Sequence, residues 1–154
     1  MESKDYIELA CDAAILGMMN YGGGPFGATI VKEGRVIASV ANTMVRDTDP
    51  SAHAEIMAIR KASKILGTMD LTGCEIYATC EPCPMCVGAM MLANIDKVYY
   101  VSTHEDAAMH GFPDNHLRNY LNGTDQSCFQ MEKITARQDC DELWNIYNVL
   151  NNID

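Results

Sequence analysis

Apolar residues recur every three or four positions in several stretches of the chain, which is the spacing that places them on one face of an α-helix. Residues that cap or break helices mark the ends, with Ser3 as the predicted N-cap of the first stretch and Gly67 as the C-cap of the second. The predicted helices are Lys4–Met19, Pro50-Ser51 to Gly67, Met85–Ala93, Asn115–Leu121 and Gln138–Leu150.

Segments rich in β-branched and aromatic residues alternate with these helices and predict strands. Two of them flank Lys32-Glu33-Gly34, whose glycine suits a tight turn, so they predict a hairpin, and the polar segment Ala41–Asp49 predicts a loop. The alternation predicts an α/β fold in three layers, with helices packed on the faces of one sheet. The predicted strands are Phe26–Val31, Arg35–Val40, Glu75–Thr79, Lys97–Ser102 and Phe129–Thr135.

The size and composition of the chain fit one domain. A chain of 154 residues that is 48% hydrophobic is long enough to bury a substantial core, so residues 1–154 are interpreted as a single domain. The segment Met1–Asp5 is charged and leads into a helical pattern that contains acidic residues, unlike a signal peptide or a membrane span. We therefore expect a cytoplasmic protein with no membrane partner.

The charge balance is acidic, with 21 Asp and Glu against 11 Lys and Arg and a formal net charge of −10. Affinity for nucleic acid depends largely on lysine and arginine side chains that neutralise phosphates. The balance therefore favours a small, uncharged substrate over a nucleic acid. The glycine-rich segment Tyr21–Pro25 lacks the residue order of a phosphate-binding loop, and it is interpreted as a flexible connection.

Two short motifs carry the candidate chemistry: H-x-E at residues 53–55 and P-C-x-x-C at residues 82–86. A catalytic zinc ion takes three protein ligands and keeps a fourth position open, and one imidazole with two thiolates is such a set. His53, Cys83 and Cys86 are therefore predicted to bind one Zn²⁺ per subunit. Glu55 is predicted to be the catalytic proton carrier, because this combination is the signature of zinc-dependent base deaminases.

Each motif taken alone has other interpretations. A lone C-x-x-C is typical of a redox pair in a cytosolic chain, and a lone His-Ala-Glu fits an exposed helical turn. A structural zinc site would need a fourth protein ligand, and no further cysteine or histidine stands at comfortable spacing beside this set. The other five cysteines are interpreted as reduced thiols: Cys11, Cys74, Cys80, Cys128 and Cys140.

Three longer segments extend the pattern beyond the metal motif. They are Gly24-Pro25-Phe26-Gly27-Ala28, Cys80-Glu81-Pro82-Cys83-Pro84-Met85-Cys86, and His104-Glu105-Asp106-Ala107-Ala108 followed by Gly111-Phe112 and Asp114. By the motif His53-Ala54-Glu55, the pair Cys83 and Cys86 and the predicted sheet order, the chain resembles the cytidine-deaminase-like superfamily over most of its length, and by these three segments it most resembles the bacterial guanine deaminases among its branches. The resemblance implies a three-layer α/β/α sandwich with a central mixed five-stranded sheet.

The resemblance also implies a set of substrate contacts. Asn42 and the backbone of Ala54 are expected to contact the base, with Phe26 and Phe112 lining the same pocket. Asp114, as an ionised carboxylate, only accepts hydrogen bonds, and it would take them from the ring N–H groups of a purine.

Simpler roles remain open for several of these residues. Asp114 suits the cap of the helix that begins at Asn115, and Phe112 and Tyr147 suit core packing. His104 and His110 stand near the motif, but because three ligands already complete a catalytic site they are interpreted as lying outside the metal set.

The activity implied by the resemblance is hydrolytic deamination of a free nucleobase, guanine to xanthine and ammonia, within purine metabolism. The zinc-activated water would attack carbon 2, and Glu55 would carry its proton. Cytosine, a guanosine-like nucleoside and another amino-substituted heterocycle are alternative substrates, while adenosine in transfer RNA and a non-catalytic zinc protein are less favoured.

The resemblance further implies a homodimer in which residues 138–154 are exchanged. The chain departs from the pattern of the branch at Pro113 and at its last residues, Asn151–Asp154.

Overall fold

Helices and strands alternate along the chain, as its hydrophobic pattern predicts. The computed structural model describes residues 1–134 and 138–154, and it divides into two compact units, Met1–Arg118 and Asn119–Asp154. None of the helices in these residues is both long and apolar enough to cross a membrane. In chain order the elements are α1 Ser3–Tyr21, β1 Gly27–Lys32, β2 Arg35–Ala41, α2 Met44–Asp47, α3 Ala54–Leu66, β3 Cys74–Cys80, α4 Pro84–Leu92, β4 Lys97–Ser102, α5 His104–Met109, α6 Asn115–Asn122 and α7 Gln138–Leu150.

The sheet is mixed and has four strands in the order β2-β1-β3-β4. Strand β1 pairs antiparallel with β2 and β3, and β3 pairs parallel with β4. The α/β class is confirmed, but the prediction of five strands is wrong. Residues 129–134 form no strand, and Thr135 lies outside the described residues. Phe129 and Met131 alternate with polar residues as in a strand, but Ile134 is out of phase with them, and all three side chains are largely exposed, so the segment lacks the buried face of a strand that packs in a sheet.

The predicted hairpin is confirmed, with a turn of two residues rather than three. Lys32 pairs directly with Arg35, so Glu33 and Gly34 alone make the connection. Both have positive φ, 50° and 76°, as the tight turn between twisted antiparallel strands requires. Gly34 adopts this conformation without strain because it has no Cβ.

Two hydrophobic clusters cover the two faces of the sheet. On one face α3 and α4 pack against β1 and β3, and α3 contributes three fully buried alanines, Ala54, Ala58 and Ala62, at intervals of four residues. On the other face α1 contributes Tyr6, which lies against Tyr77 of β3. The unit Met1–Arg118 is therefore layered as helix, sheet and helix.

Local hydrogen bonds explain where helix ends differ from the prediction. Helix α1 begins one residue earlier, since Glu2 takes the N-cap position predicted for Ser3 and forms a capping box with Asp5. Helix α3 begins at Ala54 rather than at Pro50-Ser51, because Asp49 accepts hydrogen bonds from the backbone N–H and the hydroxyl of Ser51 and holds that segment in a turn. The short helices α2 and α5 lie in segments that lacked a helical prediction.

The start of β1 lies directly against α1. A Cβ at Gly27 would overlap the backbone carbonyl of Ala10 and would lie 3.2 Å from the backbone nitrogen of Ala14. Neither backbone atom can move aside without shifting the helix. We therefore expect Gly27→Ala to lower the free energy of unfolding by roughly 1–3 kcal/mol, measured by urea denaturation of the zinc-loaded protein.

Gly88→Ala is the matched control. Gly88 lies within α4, and a Cβ there meets nothing within 4 Å. Because alanine favours helix over glycine, this variant should be as stable as the parent or gain up to about 1 kcal/mol. Equal stability of the two variants would contradict the close approach of β1 to α1.

Candidate active site

The three predicted metal ligands lie at the first residues of two helices. His53 is the N-cap of α3, and Cys83 is the N-cap of α4, with Pro84 at the first helical position, where proline is tolerated. Cys86 follows in the first turn of α4, which brings its sulfur to the same side as that of Cys83. Strand β3 ends at Cys80, so the end of this strand places the cysteine motif beside His53.

The spacing of the ligand atoms fits tetrahedral zinc. Nδ1 of His53 lies 3.6 Å from Sγ of Cys83 and 3.5 Å from Sγ of Cys86. Ligands at about 2.0–2.1 Å (N) and 2.3 Å (S) from one zinc ion, at the tetrahedral angle, stand about 3.6 Å apart. No fourth His, Cys, Asp or Glu joins this group in the described part of the chain. The donor set therefore suits a catalytic zinc ion with one open position.

The electrostatics of the two thiols favour metal binding. The hydrogen bond from Cys86, with a further contribution from His53, lowers the pKa of Cys83, which favours the thiolate form of this sulfur. The same hydrogen bond and burial raise the pKa of Cys86. A divalent cation at this point would stabilise both sulfurs as thiolates. The hydrogen bond to Cys83 raises the pKa of His53.

Glu55 lies in the first turn of α3 and faces the metal ligands from inside the cavity. Its side chain is buried, with 7% of the residue exposed, and this burial raises the pKa of the carboxyl group. Desolvation of this kind favours the protonated form and so makes the group easier to protonate. The carboxyl group is thus placed and tuned to accept a proton close to the metal position.

A cavity of about 290 Å³ opens in front of these residues. Its volume lies near the lower limit of pockets for drug-sized ligands, which suits a single small molecule. The lining combines metal ligands, carboxylates and aromatic rings. It comprises Phe26, Asn42, Met44, His53, Glu55, Cys80, Glu81, Cys83, His104, Ala107, Phe112, Pro113, Asp114, His116 and Leu117.

Two aromatic rings from distant parts of the chain meet at the cavity. The rings of Phe26 and Phe112 are perpendicular, with centroids 4.9 Å apart. Phe112 is 40% exposed and Tyr147 is 54% exposed, so the alternative interpretation that these two residues pack in the core is wrong. A Cβ at Gly24 would lie 3.0 Å from the ring of Phe26, so this glycine leaves room for the ring beside the loop.

Asn42 is fully buried and organises the loop that carries Phe26. Its side-chain amide donates to the backbone carbonyls of Gly24 and Phe26, at 2.7 and 3.4 Å. Its side-chain oxygen accepts the N–H of Gly24 at 3.3 Å. This oxygen keeps a second lone pair, while both amide hydrogens are already used.

The other predicted substrate contacts differ in where they lie. Asp114 lines the cavity and precedes α6, and its backbone carbonyl accepts the N–H groups of Leu117 and Arg118. Its carboxylate is bound by the Arg118 guanidinium at 2.9 and 3.0 Å. Ala54 is fully buried in the core at the start of α3, and among the described residues it is not part of the cavity lining.

The two histidines outside the motif occupy different environments. His104 lines the cavity, with Nε2 3.0 Å from Glu105 and Nδ1 4.0 Å from Asp114. His110 is exposed, and its Nδ1 lies 2.8 Å from the backbone carbonyl of Asp106. Neither belongs to the group formed by the three metal ligands, as the sequence interpretation expected.

Several residues at the site were not singled out from the sequence. Met44 and His116 line the cavity but belong to no motif, so only the fold brings them there. Arg118 carried a usable signal, because it stands four residues after Asp114, a spacing that allows side chains of opposite charge to meet on a helix.

Comparison with known proteins places this site in a family. A model of the cytidine and deoxycytidylate deaminase zinc-binding region matches residues 1–102. Guanine deaminase of Bacillus subtilis is 47% identical over 114 residues, which cover 74% of this chain and 70% of that protein. A tRNA-specific adenosine deaminase of Aquifex aeolicus is 49% identical over 76 residues, which cover 49% of this chain and 50% of that protein.

The fold is shared as well. The crystal structure of guanine deaminase from Bacillus subtilis superposes with a TM-score of 0.88 and 37% sequence identity, covering 96% of this chain and 95% of that one. The match of family model, relative and fold agrees with the ligand geometry of His53, Cys83 and Cys86. The chain therefore belongs to the cytidine and deoxycytidylate deaminase family of zinc-dependent hydrolytic deaminases.

Proposed function

We propose that the chain deaminates free guanine to xanthine and ammonia. The observation that carries this proposal is the placement of Asp114 in the same cavity as Glu55 and the metal ligands His53 and Cys83. An ionised carboxylate only accepts hydrogen bonds, so it recognises a base through ring N–H groups, and guanine presents such donors. The similarity to guanine deaminase of Bacillus subtilis supports the same substrate.

Different residues of the chain would bind the zinc ion and transfer the proton. A bound zinc ion supplies a water that is acidic enough to act as a nucleophile near neutral pH. His53, Cys83 and Cys86 would hold the ion and leave its fourth position facing the cavity. Glu55 would take the proton of the water at its carboxylate and deliver it to the ring nitrogen beside carbon 2, and would then help to protonate the departing amine.

The cavity walls would hold the base in place for this attack. Phe26 and Phe112 present apolar ring surface against which a flat purine can pack. Asn42 would fix the loop of Phe26 and offer its remaining oxygen lone pair as an acceptor. The proposed backbone contact of Ala54 remains a prediction for the bound state.

The zinc-loaded protein should release ammonia from guanine and form xanthine, followed by coupled ammonia detection and by the change in purine absorbance. A panel of guanine, guanosine, cytosine, adenine and a triazine tests the alternatives directly. We expect the highest kcat/KM for guanine, because the other compounds lack either the amino group at carbon 2 or one of the ring donors. Turnover of cytosine alone would refute guanine as substrate while leaving the zinc chemistry intact.

A transfer RNA substrate is the second possibility raised by the relatives, since tRNA-specific adenosine deaminases match about half of the chain. The net charge of −10 opposes it, because affinity for RNA depends on cationic side chains. Tight, salt-sensitive binding of RNA at low salt would favour this alternative over a free base.

Glu55→Gln should reduce kcat by roughly 10²- to 10⁴-fold, because the amide cannot carry the proton. The variant should still hold one zinc ion per chain by elemental analysis, since Glu55 is not a ligand. Glu8→Gln, at an exposed position on α1, is the matched control and should keep full activity. Normal turnover by a zinc-loaded Glu55→Gln variant would overturn the role of Glu55.

We also propose that residues 1–154 act as one deaminase domain that forms a homodimer, with residues 138–154 exchanged between the two copies. Support comes from α7, whose apolar side chains are exposed instead of buried. Large apolar surfaces of this kind mark interaction sites. The exposed residues are Leu143, Trp144, Ile146, Tyr147, Val149 and Leu150.

Trp144→Glu should weaken the dimer, because a charge would then face the apolar contact. Light scattering coupled to gel filtration should give the mass of two chains for the parent and of one chain for the variant. Met69→Glu, which replaces another highly exposed apolar residue, should leave the mass unchanged. A parent protein that stays monomeric at high concentration would exclude the proposed dimer.

A further inference from the structure

Arg118 holds the carboxylate of Asp114 from outside the cavity. Its Nε donates to Oδ1 at 3.0 Å and its Nη2 donates to Oδ2 at 2.9 Å, which makes a two-pronged ion pair. Asp114 lines the cavity, whereas Arg118 is not among its lining residues in the part of the chain described. A bidentate pair of this kind fixes the plane of the carboxylate as well as its position.

The same guanidinium reaches the segment that carries a metal ligand. Nη2 of Arg118 donates to the backbone carbonyl of Pro82 at 3.2 Å and lies 3.7 Å from the carboxylate of Glu81. Pro82 directly precedes Cys83, the N-cap of α4. The side chain of Arg118 therefore connects Asp114, which is proposed to bind the base, with the segment that carries the zinc ligand Cys83.

Because the ion pair of Arg118 and Asp114 is partly buried, we expect it to be sensitive to the loss of the positive charge of Arg118. The side chains of Asp114 and Arg118 are 14% and 27% exposed, so the pair is largely removed from water. Without Arg118, the carboxylates of Asp114 and Glu81 would face one another with no guanidinium between them. A lysine would restore one positive charge but cannot reproduce the two parallel N–H donors.

We propose that Arg118 is a positioning residue of the reaction. It orients the carboxylate of Asp114 to accept hydrogen bonds from the ring N–H groups of the base, and it fixes the position of that carboxylate relative to the segment that carries Cys83. This inference rests on the proposed deamination of a purine. Each oxygen of Asp114 accepts one N–H from Arg118 and keeps a lone pair for the substrate. Arg118 would therefore act on the substrate only through Asp114.

A double-mutant cycle of Arg118→Gln and Asp114→Asn tests this directly on the full-length, zinc-loaded protein. Arg118→Gln should lower kcat/KM for guanine by roughly 10- to 100-fold, mostly through a higher KM, and Arg118→Lys should recover part of the loss. The double variant should match Asp114→Asn alone within about 2-fold, because Arg118 has no effect without its partner. The affinity for the product xanthine, measured by calorimetry, should decrease in the same order among the variants as kcat/KM. This measurement replaces the kinetic one if Asp114→Asn turns over too slowly to be assayed.

Arg60→Gln is the matched control, since Arg60 is exposed and makes only long contacts among the described residues, with Asp49 at 3.9 Å and with the sulfur of Met57 at 3.7 Å. It should keep parent activity, and all variants should hold one zinc ion per chain.

Losses that multiply in the double variant, loss of zinc from Arg118→Gln, or full activity of Arg118→Gln would each overturn the inference. A parent protein that deaminates another base would instead refute the guanine proposal, and the same cycle on that base would still test the role of Arg118.

Discussion

The active site of this protein depends on three side-chain atoms meeting at one point. Cys83 and Cys86 stand 30 and 33 residues after His53 in sequence, yet their sulfurs lie 3.6 and 3.5 Å from its Nδ1. Such convergence requires the starts of α3 and α4 to be fixed to within a fraction of an ångström. The sheet provides that precision, because β3 runs directly into the cysteine motif and both helices pack on the same face.

Small residues make the close packing possible. Ala54, Ala58 and Ala62 form the buried side of α3, and their methyl groups let the helix lie near β1 and β2. Gly27 serves the same purpose on the other face, where α1 touches the backbone of β1. Larger side chains at the three alanine positions would push α3 outward and carry His53 away from the cysteines. The precision of the metal site is thus a consequence of how little volume separates helix from sheet.

Charge in the cavity is arranged so that each carboxylate has a distinct environment. Glu55 is buried beside the metal ligands, and this burial raises its pKa, which suits a group that accepts and returns protons. Asp114 is instead paired with Arg118, which suits a group that stays an acceptor. Glu55 and Asp114, two of the carboxylates that line the cavity, therefore fit different tasks because their neighbours differ.

The sequence by itself determined the class of fold, the candidate zinc ligands, the four strands of the sheet and the described helices other than α2 and α5, because hydrophobic periodicity and the H-x-E and P-C-x-x-C motifs are local patterns. It failed for the segment 129–134, which forms no strand and whose apolar side chains are exposed, and for the lining residues Met44 and His116. The hydrogen bond from Arg118 to the backbone carbonyl of Pro82, 36 residues away in sequence, was likewise decided only by the tertiary structure. Strand pairing, cavity walls and long-range hydrogen bonds depend on residues distant in sequence, and a local pattern cannot specify which of them meet.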